Sequence, residues 1–527
     1  MKGDGGDTPG HDANILLRDE APHMTNHLFS LIRSRQPDPS RLFAELPDGR
    51  RYDYGEMERR SAQYANALVQ LGVKPSDRVA LQVEKSLEAV FAYLGTVRAG
   101  AVFLPLNTAY TPSEIDYFLS DAEPAVFVCD PAQEAALAPI AKARGVGQLL
   151  TLDAAGAGTL RAAADAQRTS FEDVARGPDD LAALLYTSGT TGRSKGAMLS
   201  HDNLASNAQV LAEYWRFTPD DVLIHALPIF HTHGLFVAIN ATLLAGSSMI
   251  FLPRFDADLV LTLMGRASVL MGVPTFYTRL LKHPGLTPEA AKAMRLFISG
   301  SAPLLAETHR EWRARTAHAI LERYGMTETG MNTSNPYEGE RIAGTVGFPL
   351  PGVELRVVDP ENGRELIHGA IGMIEVKGPN VFKGYWRMPE KTAAEFHEGW
   401  FVTGDLGLID TRGYVQIVGR GKDLVITGGF NVYPKEIETE IDAIDGVIES
   451  AVIGVPHADF GEGVTAVVVA RQGMGLTEAQ VLGALEGRLA KFKCPKRVVF
   501  LDDLPRNTMG KVQKNLLREQ FKGLYGG

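Results

Sequence analysis

The segment Leu181-Ala182-Ala183-Leu184-Leu185-Tyr186-Thr187-Ser188-Gly189-Thr190-Thr191-Gly192-Arg193-Ser194-Lys195-Gly196 passes in one step from an apolar run to a loop built largely of Gly, Ser and Thr. Leu181–Leu185 reads as a buried strand, and helical character begins at His201. Glycines let the backbone curl so that several N–H groups point inward, and the hydroxyls of Thr187, Ser188, Thr190 and Thr191 add further donors. With Lys195 supplying positive charge, the loop suits phosphate oxygens. It is not a Walker A loop, which needs Gly-Lys followed by Ser or Thr. A short Gly/Ser/Thr turn would be only a turn. Eleven residues of this density, two of them basic, favour phosphate binding.

Working outward, Arg78–Val83, Val102–Leu106, Ala125–Cys129, Val222–Leu227, Ser268–Val273 and Arg295–Ser299 read as buried strands. Ser86–Arg98 and Pro112–Leu119 carry apolar residues at helical spacing. Such alternation predicts an α/β fold, a large domain of helix-covered, mostly parallel sheets. A β-rich region with Gly372–Lys377 and Tyr414–Val418 follows. After Lys422 the pattern restarts: helix Pro434–Ile444, strands Ser450–Val455 and Val464–Ala470, helix Glu478–Lys491 and strand Arg497–Leu501. This predicts a small α+β domain of about a hundred residues. The expected boundaries are 1–23 for a disordered arm or cloning-derived tag, 24–421 for the large domain and 422–527 for a mobile cap.

The chain has 527 residues, 45% hydrophobic and 22% charged, a globular composition that needs more than one core. No apolar run reaches the ~18–20 residues of a membrane span. Cys129 and Cys494 lie too far apart in sequence to resemble a metal set or disulfide framework, so structural thiols in the cytoplasm are expected. A net charge of −10 argues against a nucleic-acid partner. From Lys491 to Gly527, however, nine Lys/Arg face three acids, a local balance of 9 − 3 = +6. This is either a solvated face or a site for a small polyanion.

Further motifs follow the phosphate loop in order: Pro228-Ile229-Phe230-His231-Thr232-His233-Gly234, Gly300-Ser301-Ala302-Pro303, Tyr324-Gly325-Met326-Thr327-Glu328 and Trp400-Phe401-Val402-Thr403-Gly404-Asp405. Then come Gly419-Arg420-Gly421-Lys422-Asp423, Thr427-Gly428-Gly429-Phe430-Asn431-Val432-Tyr433-Pro434 and Pro505-Arg506-Asn507-Thr508-Met509-Gly510-Lys511. With these the chain resembles the acyl-adenylate-forming superfamily, in its acyl-CoA synthetase branch, from about residue 27 onward. The resemblance implies an acid–thiol ligase: a carboxylate attacks the α-phosphorus of ATP, pyrophosphate leaves, and coenzyme A takes the acyl group.

On that reading ATP is held by Thr187, Ser188, Gly189, Thr190, Thr191, Gly192, Lys195, the Gly300–Pro303 wall (Gly300, Ser301, Ala302, Pro303) and Arg323, Tyr324, Gly325, Met326 and Thr327. Asp405 and Arg420 take the ribose, and Tyr324 stacks on adenine. Glu328 is a hard oxygen ligand for Mg²⁺. Lys511 is the catalytic lysine and Thr187 and His231 assist, although without the family Lys511 would read as a surface lysine and His231 as a packed core histidine. Lys422 is the hinge, and with Gly428 and Gly429 it meets coenzyme A. Lys511 is also where a lysine acetyltransferase and deacetylase would act.

For the acid, Val273-Pro274-Thr275-Phe276-Tyr277-Thr278-Arg279-Leu280-Leu281 places Arg279 on one helix face with Thr275. Arg279 either faces water or offers its guanidinium to a second substrate carboxylate. Asn107-Thr108-Ala109-Tyr110-Thr111 and His225-Ala226-Leu227-Pro228 resemble malonyl-CoA synthetases. This implies malonate, with methylmalonate tolerated, held by Arg279, Ser301, Arg323, His231 and Met326. The alternatives are a ligase for another small, aromatic or medium-chain acid, a carrier-protein loading module, and a degenerate nucleotide-binding protein. The last would be expected to lack Lys511 or Glu328.

Overall fold

The computed structural model describes residues 25–187, 194–428, 430–507 and 510–525. The expected arm Met1–His23 lies outside the described residues, as do Ser188, Gly189, Thr190, Thr191, Gly192 and Gly429.

Two mostly parallel sheets form the body. In the first, strands run in the order Gln148–Thr151, Val126–Cys129, Arg78–Gln82, Val102–Pro105 and Leu181–Thr187, closed by antiparallel Lys195–Ser200. In the second, Leu321–Met326, Leu296–Ser299, Val269–Gly272, Val222–His225, Ser248–Phe251 and Leu42–Glu45 lie parallel and adjacent, with short antiparallel strands outside them. The buried β-branched and aromatic side chains of their central strands explain the continuous apolar runs. The covering helices are capped as the sequence dictates. Ser86 accepts from Ala89 N (3.3 Å) to open Leu87–Arg98, and Thr111 and Glu114 form a capping box before Pro112–Ala122.

The sheet order matters for function. Adjacent parallel strands all point the same way, so the segments after their carboxyl ends meet at one edge. These segments are Pro228–Gly234, Pro274–Leu281, Gly300–Pro303 and Tyr324–Glu328, four stretches far apart in sequence. A ligand crevice at the carboxyl edge is the general result of such a sheet.

The β-rich region is an antiparallel sheet of Glu354–Val358, Gly372–Lys377, Trp400–Ile409, Phe396–His397 and Val415–Arg420. Beyond it, a further sheet joins Phe430–Val432, Val425–Thr427, Gly461–Ala470, Val447–His457 and Arg497–Phe500. Helices Pro434–Asp442, Glu478–Leu485 and Lys514–Phe521 pack on this sheet, and its apolar clusters draw only on residues from Val425 to Tyr525.

Three of the departures from the expected elements lie near the phosphate loop or in the small unit. Strand Lys195–Ser200 stands between the phosphate loop and the helix at His201, because Gly196-Ala197-Met198-Leu199 pairs back onto Leu181–Thr187. The helix from Glu478 ends at Leu485 rather than Lys491, where Gly487 turns the chain at φ +76°. The amphipathic helix Lys514–Phe521 was not expected; its Leu517 is fully buried.

Candidate active site

The hairpin Leu181–Thr187/Lys195–Ser200 sets Thr187 opposite Lys195 in register, at the mouth of the Gly/Ser/Thr loop. Lys195 reaches Glu395 (3.4 Å) and lies over the Tyr385 ring at 4.1 Å. The hydroxyl of Tyr385 donates to Glu328 Oε1 at 3.0 Å. Thus the phosphate-loop lysine and the expected metal ligand are joined through one buried tyrosine. Sequence reading missed Tyr385; Gly384-Tyr385-Trp386 carries no chemical signature of its own.

Glu328 is buried, and this burial holds its carboxyl above the ordinary glutamate value, opposed by the Tyr385 hydroxyl and by Arg420 and Lys195 nearby. Among the described residues no cluster of three or more His, Cys, Asp or Glu could hold a metal. A buried carboxylate served by one neutral donor fits a hard divalent cation whose other ligands come from phosphate and water. When bound there, Mg²⁺ would neutralise charge on the nucleotide phosphates.

Asp405 and Arg420 pair across antiparallel strands, with Arg420 Nε 2.8 Å from Asp405 Oδ1. The Tyr324 hydroxyl donates to the other carboxylate oxygen at 2.5 Å. The expected ribose contacts therefore form one fixed unit with the expected adenine-stacking ring.

Arg323 and Tyr324 are successive residues of the Leu321–Met326 strand, so their side chains leave on opposite faces. Tyr324 serves the Asp405 side. Arg323 is buried at 3% exposure, with Nε and Nη2 lacking any partner. Burial pushes its guanidinium down to about 9, and no acid faces it among the described residues. It fits only because residue 300 is glycine: a Cβ there would stand 2.4 Å from Arg323 Cζ. Ser301 follows at φ +71°, a strained conformation for a side-chain-bearing residue, and its hydroxyl meets His233 Nδ1 at 3.2 Å. His233 is buried and its Nε2 is also unpartnered.

His231 is half-buried. Burial, then Lys511 and Arg323, push its imidazole down to about 3, so it is neutral at working pH. His225, one turn of chain earlier, is fixed by Lys85 Nζ on Nδ1 (2.8 Å) and bonds Gly234 O through Nε2 (2.8 Å). This buried pair shapes the His231 loop; the sequence motif His225-Ala226-Leu227-Pro228 did not show the pairing with Lys85. Met326 is half-buried against the main core, Ala302 is half-buried and Pro303 is exposed.

Lys511 stands in this cleft. Its charge is felt by His231, and Asp405, Glu328, Arg420 and Lys422 in turn act on it. Its side chain keeps solvent exposure, yet protein crowds round it, as befits a group in an open cleft; that crowding, then Arg420, lowers its pKa. The preceding Gly510 sits at φ +76°, where a Cβ would lie 3.3 Å from Thr275 Cγ2. Arg279 is exposed one helical turn after Thr275, on the same face and without a partner among the described residues, whereas Phe276, Tyr277, Leu280 and Leu281 are buried. Lys422 is exposed in the turn after Arg420, and Gly428 donates to Phe460 O (2.9 Å) within its own sheet rather than joining the cleft.

The chain matches the AMP-binding enzyme family over residues 33–386 and the AMP-binding enzyme C-terminal domain over residues 436–511. It belongs to the AMP-binding enzyme family. Among its relatives is a malonate–CoA ligase of Arabidopsis thaliana, 33% identical and covering 90% of this chain and 85% of the relative. A feruloyl-CoA synthase of Amycolatopsis is 37% identical and covers 89% and 94%. The ATP-bound crystal structure of MatB from Rhodopseudomonas palustris is 66% identical, covers 95% of this chain and all of that one, and superposes with a TM-score of 0.94; the apo form gives 0.83. This AMP-binding enzyme is an AMP-forming acyl-CoA ligase with the α/β fold of that class. No helix among the described residues is long and apolar enough to cross a membrane.

Two outcomes are expected from this geometry. Gly300→Ala displaces Arg323 and raises KM for the acid by about tenfold or more, the effect of losing ~1.5–3 kcal/mol of charged hydrogen bonding, with a smaller loss of nucleotide affinity by calorimetry. Because a proton competes with the metal at a carboxyl held above its ordinary value, the Mg²⁺ concentration for half-maximal pyrophosphate exchange rises as pH falls below neutral. A flat Mg²⁺ requirement across that range would remove Glu328 from the metal site.

Proposed function

We propose that this chain is a malonyl-CoA synthetase: malonate and ATP give malonyl-AMP and pyrophosphate, then coenzyme A gives malonyl-CoA and AMP, with methylmalonate also accepted. The observation that carries the reading is the Arg323 guanidinium, buried without an acidic partner beside Ser301 and His233 in the cleft that holds Lys511. An uncompensated buried charge costs on the order of 3–5 kcal/mol. A dicarboxylic acid offsets that cost with the carboxylate it does not activate, whereas a ferulate- or hexanoate-like acid leaves it standing. The 66% identity to MatB supports the same choice over the feruloyl-CoA synthase, which is similar at only 37%. Arg279, unpaired at the cleft side of its helix, is the second cation for that carboxylate.

In the first half-reaction Lys511 holds the attacking carboxylate against the α-phosphate, Lys195, Thr187 and the 188–192 loop hold the leaving phosphates, and Asp405 and Arg420 fix the ribose. Preorganised charge of this kind is worth on the order of 10²–10³ in rate for one group. In the second, the cap 422–527 turns about Lys422, taking Lys511 away and bringing Gly428 and Gly429 to the pantetheine arm, with the basic tail near the phosphates of coenzyme A. The high similarity to an ATP-bound relative supports assigning the present arrangement to the first half-reaction. Acetylation of Lys511 removes the charge that this step uses, so a lysine acetyltransferase and deacetylase would switch it.

The test is AMP release with malonate, methylmalonate, acetate, hexanoate and 4-coumarate, for wild type, Arg279→Ala and Arg323→Leu. Malonate is the best substrate of wild type, and each substitution lowers its kcat/KM by about 10²-fold with ATP binding retained. Unchanged malonate kinetics in both variants would sink the dicarboxylate reading. Separately, Lys511→Ala or acetylated Lys511 loses malonate-dependent pyrophosphate exchange by ~10²-fold or more, yet converts preformed acyl-adenylate to thioester at near the wild-type rate. Normal exchange by the acetylated protein rules the switch out.

A further inference from the structure

The loop that presents Lys511 is tied down more firmly than its surface position requires. Asn507 N donates to Lys511 O (2.9 Å), Lys511 N to Asn507 Oδ1 (2.9 Å), and Gln513 N to Pro505 O (2.7 Å), which holds 505–507 and 511–513 side by side. Arg506 spans the loop. One arm of its guanidinium, Nη1, donates to Gly510 O at 2.7 Å, and the other, Nη2, is ion-paired with Glu449 on the long strand Val447–His457. Both side chains are largely shielded, at 26% and 20% exposure, so the pair is less screened than a surface one. Just past the loop, Lys514 pairs with Glu438 at 2.5 Å, and Glu438 accepts from Val452 N on the same strand (2.9 Å). The lysine is thus suspended between two ion pairs, each anchored to a core strand of the small unit.

We infer that the Arg506–Glu449 pair is a positioning device for Lys511, required when the acid meets the α-phosphate and dispensable when the thiol meets the acyl carbonyl. The inference rests on the role of Lys511 given under the proposed function. Gly510 is the point of action. It is the residue just before the lysine, its carbonyl is held by Arg506, and its open α-carbon lies against Thr275 of the large body. A guanidinium can hold a carbonyl and a carboxylate together with two fixed arms; an ammonium at the end of a flexible stem cannot reproduce that fork. If the anchor is lost, the loop keeps its lysine but not its placement, and misplacement by about 1 Å costs roughly 10²-fold in a step that depends on orientation.

The experiment uses the full chain as wild type, Arg506→Met, Arg506→Lys and Glu449→Gln. It measures malonate-dependent exchange of labelled pyrophosphate into ATP and, separately, thioester formation from preformed malonyl-AMP and coenzyme A. Expected are exchange rates lower by about 10²-fold for Arg506→Met and about tenfold for the other two, with thioester formation within about threefold of wild type in all. Glu449→Gln is the deciding variant because it leaves the Arg506 charge in place. If its exchange stays at the wild-type level, Arg506 acts as a direct cation or not at all, and the positioning role is overturned. Equal losses in both half-reactions would also overturn it, since general damage to the small unit strikes both. Should Arg506→Met fail to fold by circular dichroism, the two conservative variants carry the same test. A wild type without malonate-dependent exchange sinks the proposed function itself, whereas variants that match an active wild type sink this inference alone.

Discussion

Adenylation presses one anion against another. A carboxylate must approach a triphosphate closely enough to bond to phosphorus, and two unit charges 4 Å apart repel by about 4 kcal/mol at an effective dielectric of 20. The cleft answers with cations held in fixed places: Lys195 by Glu395 and the Tyr385 ring, Arg420 by Asp405, and Lys511 by its anchored loop. Lys195 and Arg420 each have an acidic partner, and Lys511 has a tethered backbone. Arg323 is the exception, buried beside glycine with nothing to neutralise it. Sheet order, glycine placement and loop anchoring set where these charges stand before substrates arrive.

Much of this was legible in the sequence because the body obeys simple periodicity. Apart from Arg78, Gln82, His225 and Ser299 at their ends, Arg78–Gln82, Val102–Pro105, Val222–His225, Val269–Gly272 and Leu296–Ser299 are apolar since both sheet faces are covered, and their segments matched the expected runs to within a residue or two at each end. What escaped was structure whose stability comes from a distant partner. Leu42–Glu45 is a strand because it pairs with Ser248–Phe251, some two hundred positions away, and no local pattern announces that. Lys195–Ser200 was hidden by the glycine-rich loop before it. Helix Lys514–Phe521 carries few apolar residues and is held by Leu517 and its neighbours on a sheet that the sequence does not show in assembled form.

The site divides in the same way. Motif order brought together Lys511, Glu328, Asp405, Arg420 and Tyr324, which the structure places around one cleft. The weights of the two pocket arginines, however, could not be read from spacing. Arg279 stood out in an apolar helix yet is exposed, while Arg323, in the inconspicuous Leu321-Glu322-Arg323-Tyr324, is the one fully enclosed. Enclosure depends on Gly300, a residue whose importance is only the atom it lacks. Tyr385 and the Lys85–His225 pair were equally silent, because each acts by holding another residue and leaves no chemical trace in the linear order.

The strand Leu321–Met326 has a consequence for how such enzymes diversify. Its alternation sends Arg323 to the Gly300 side and Tyr324 to the Asp405 side, with a register shift following Tyr324. Neighbouring positions on one rail therefore answer to different selective pressures. On the proposed reading, a lineage that trades the arginine for an apolar residue would exchange a dicarboxylate for an aromatic acid without moving the ring that is bonded to Asp405. Innovation in diet is uncoupled from the fuel supply by a single pleat.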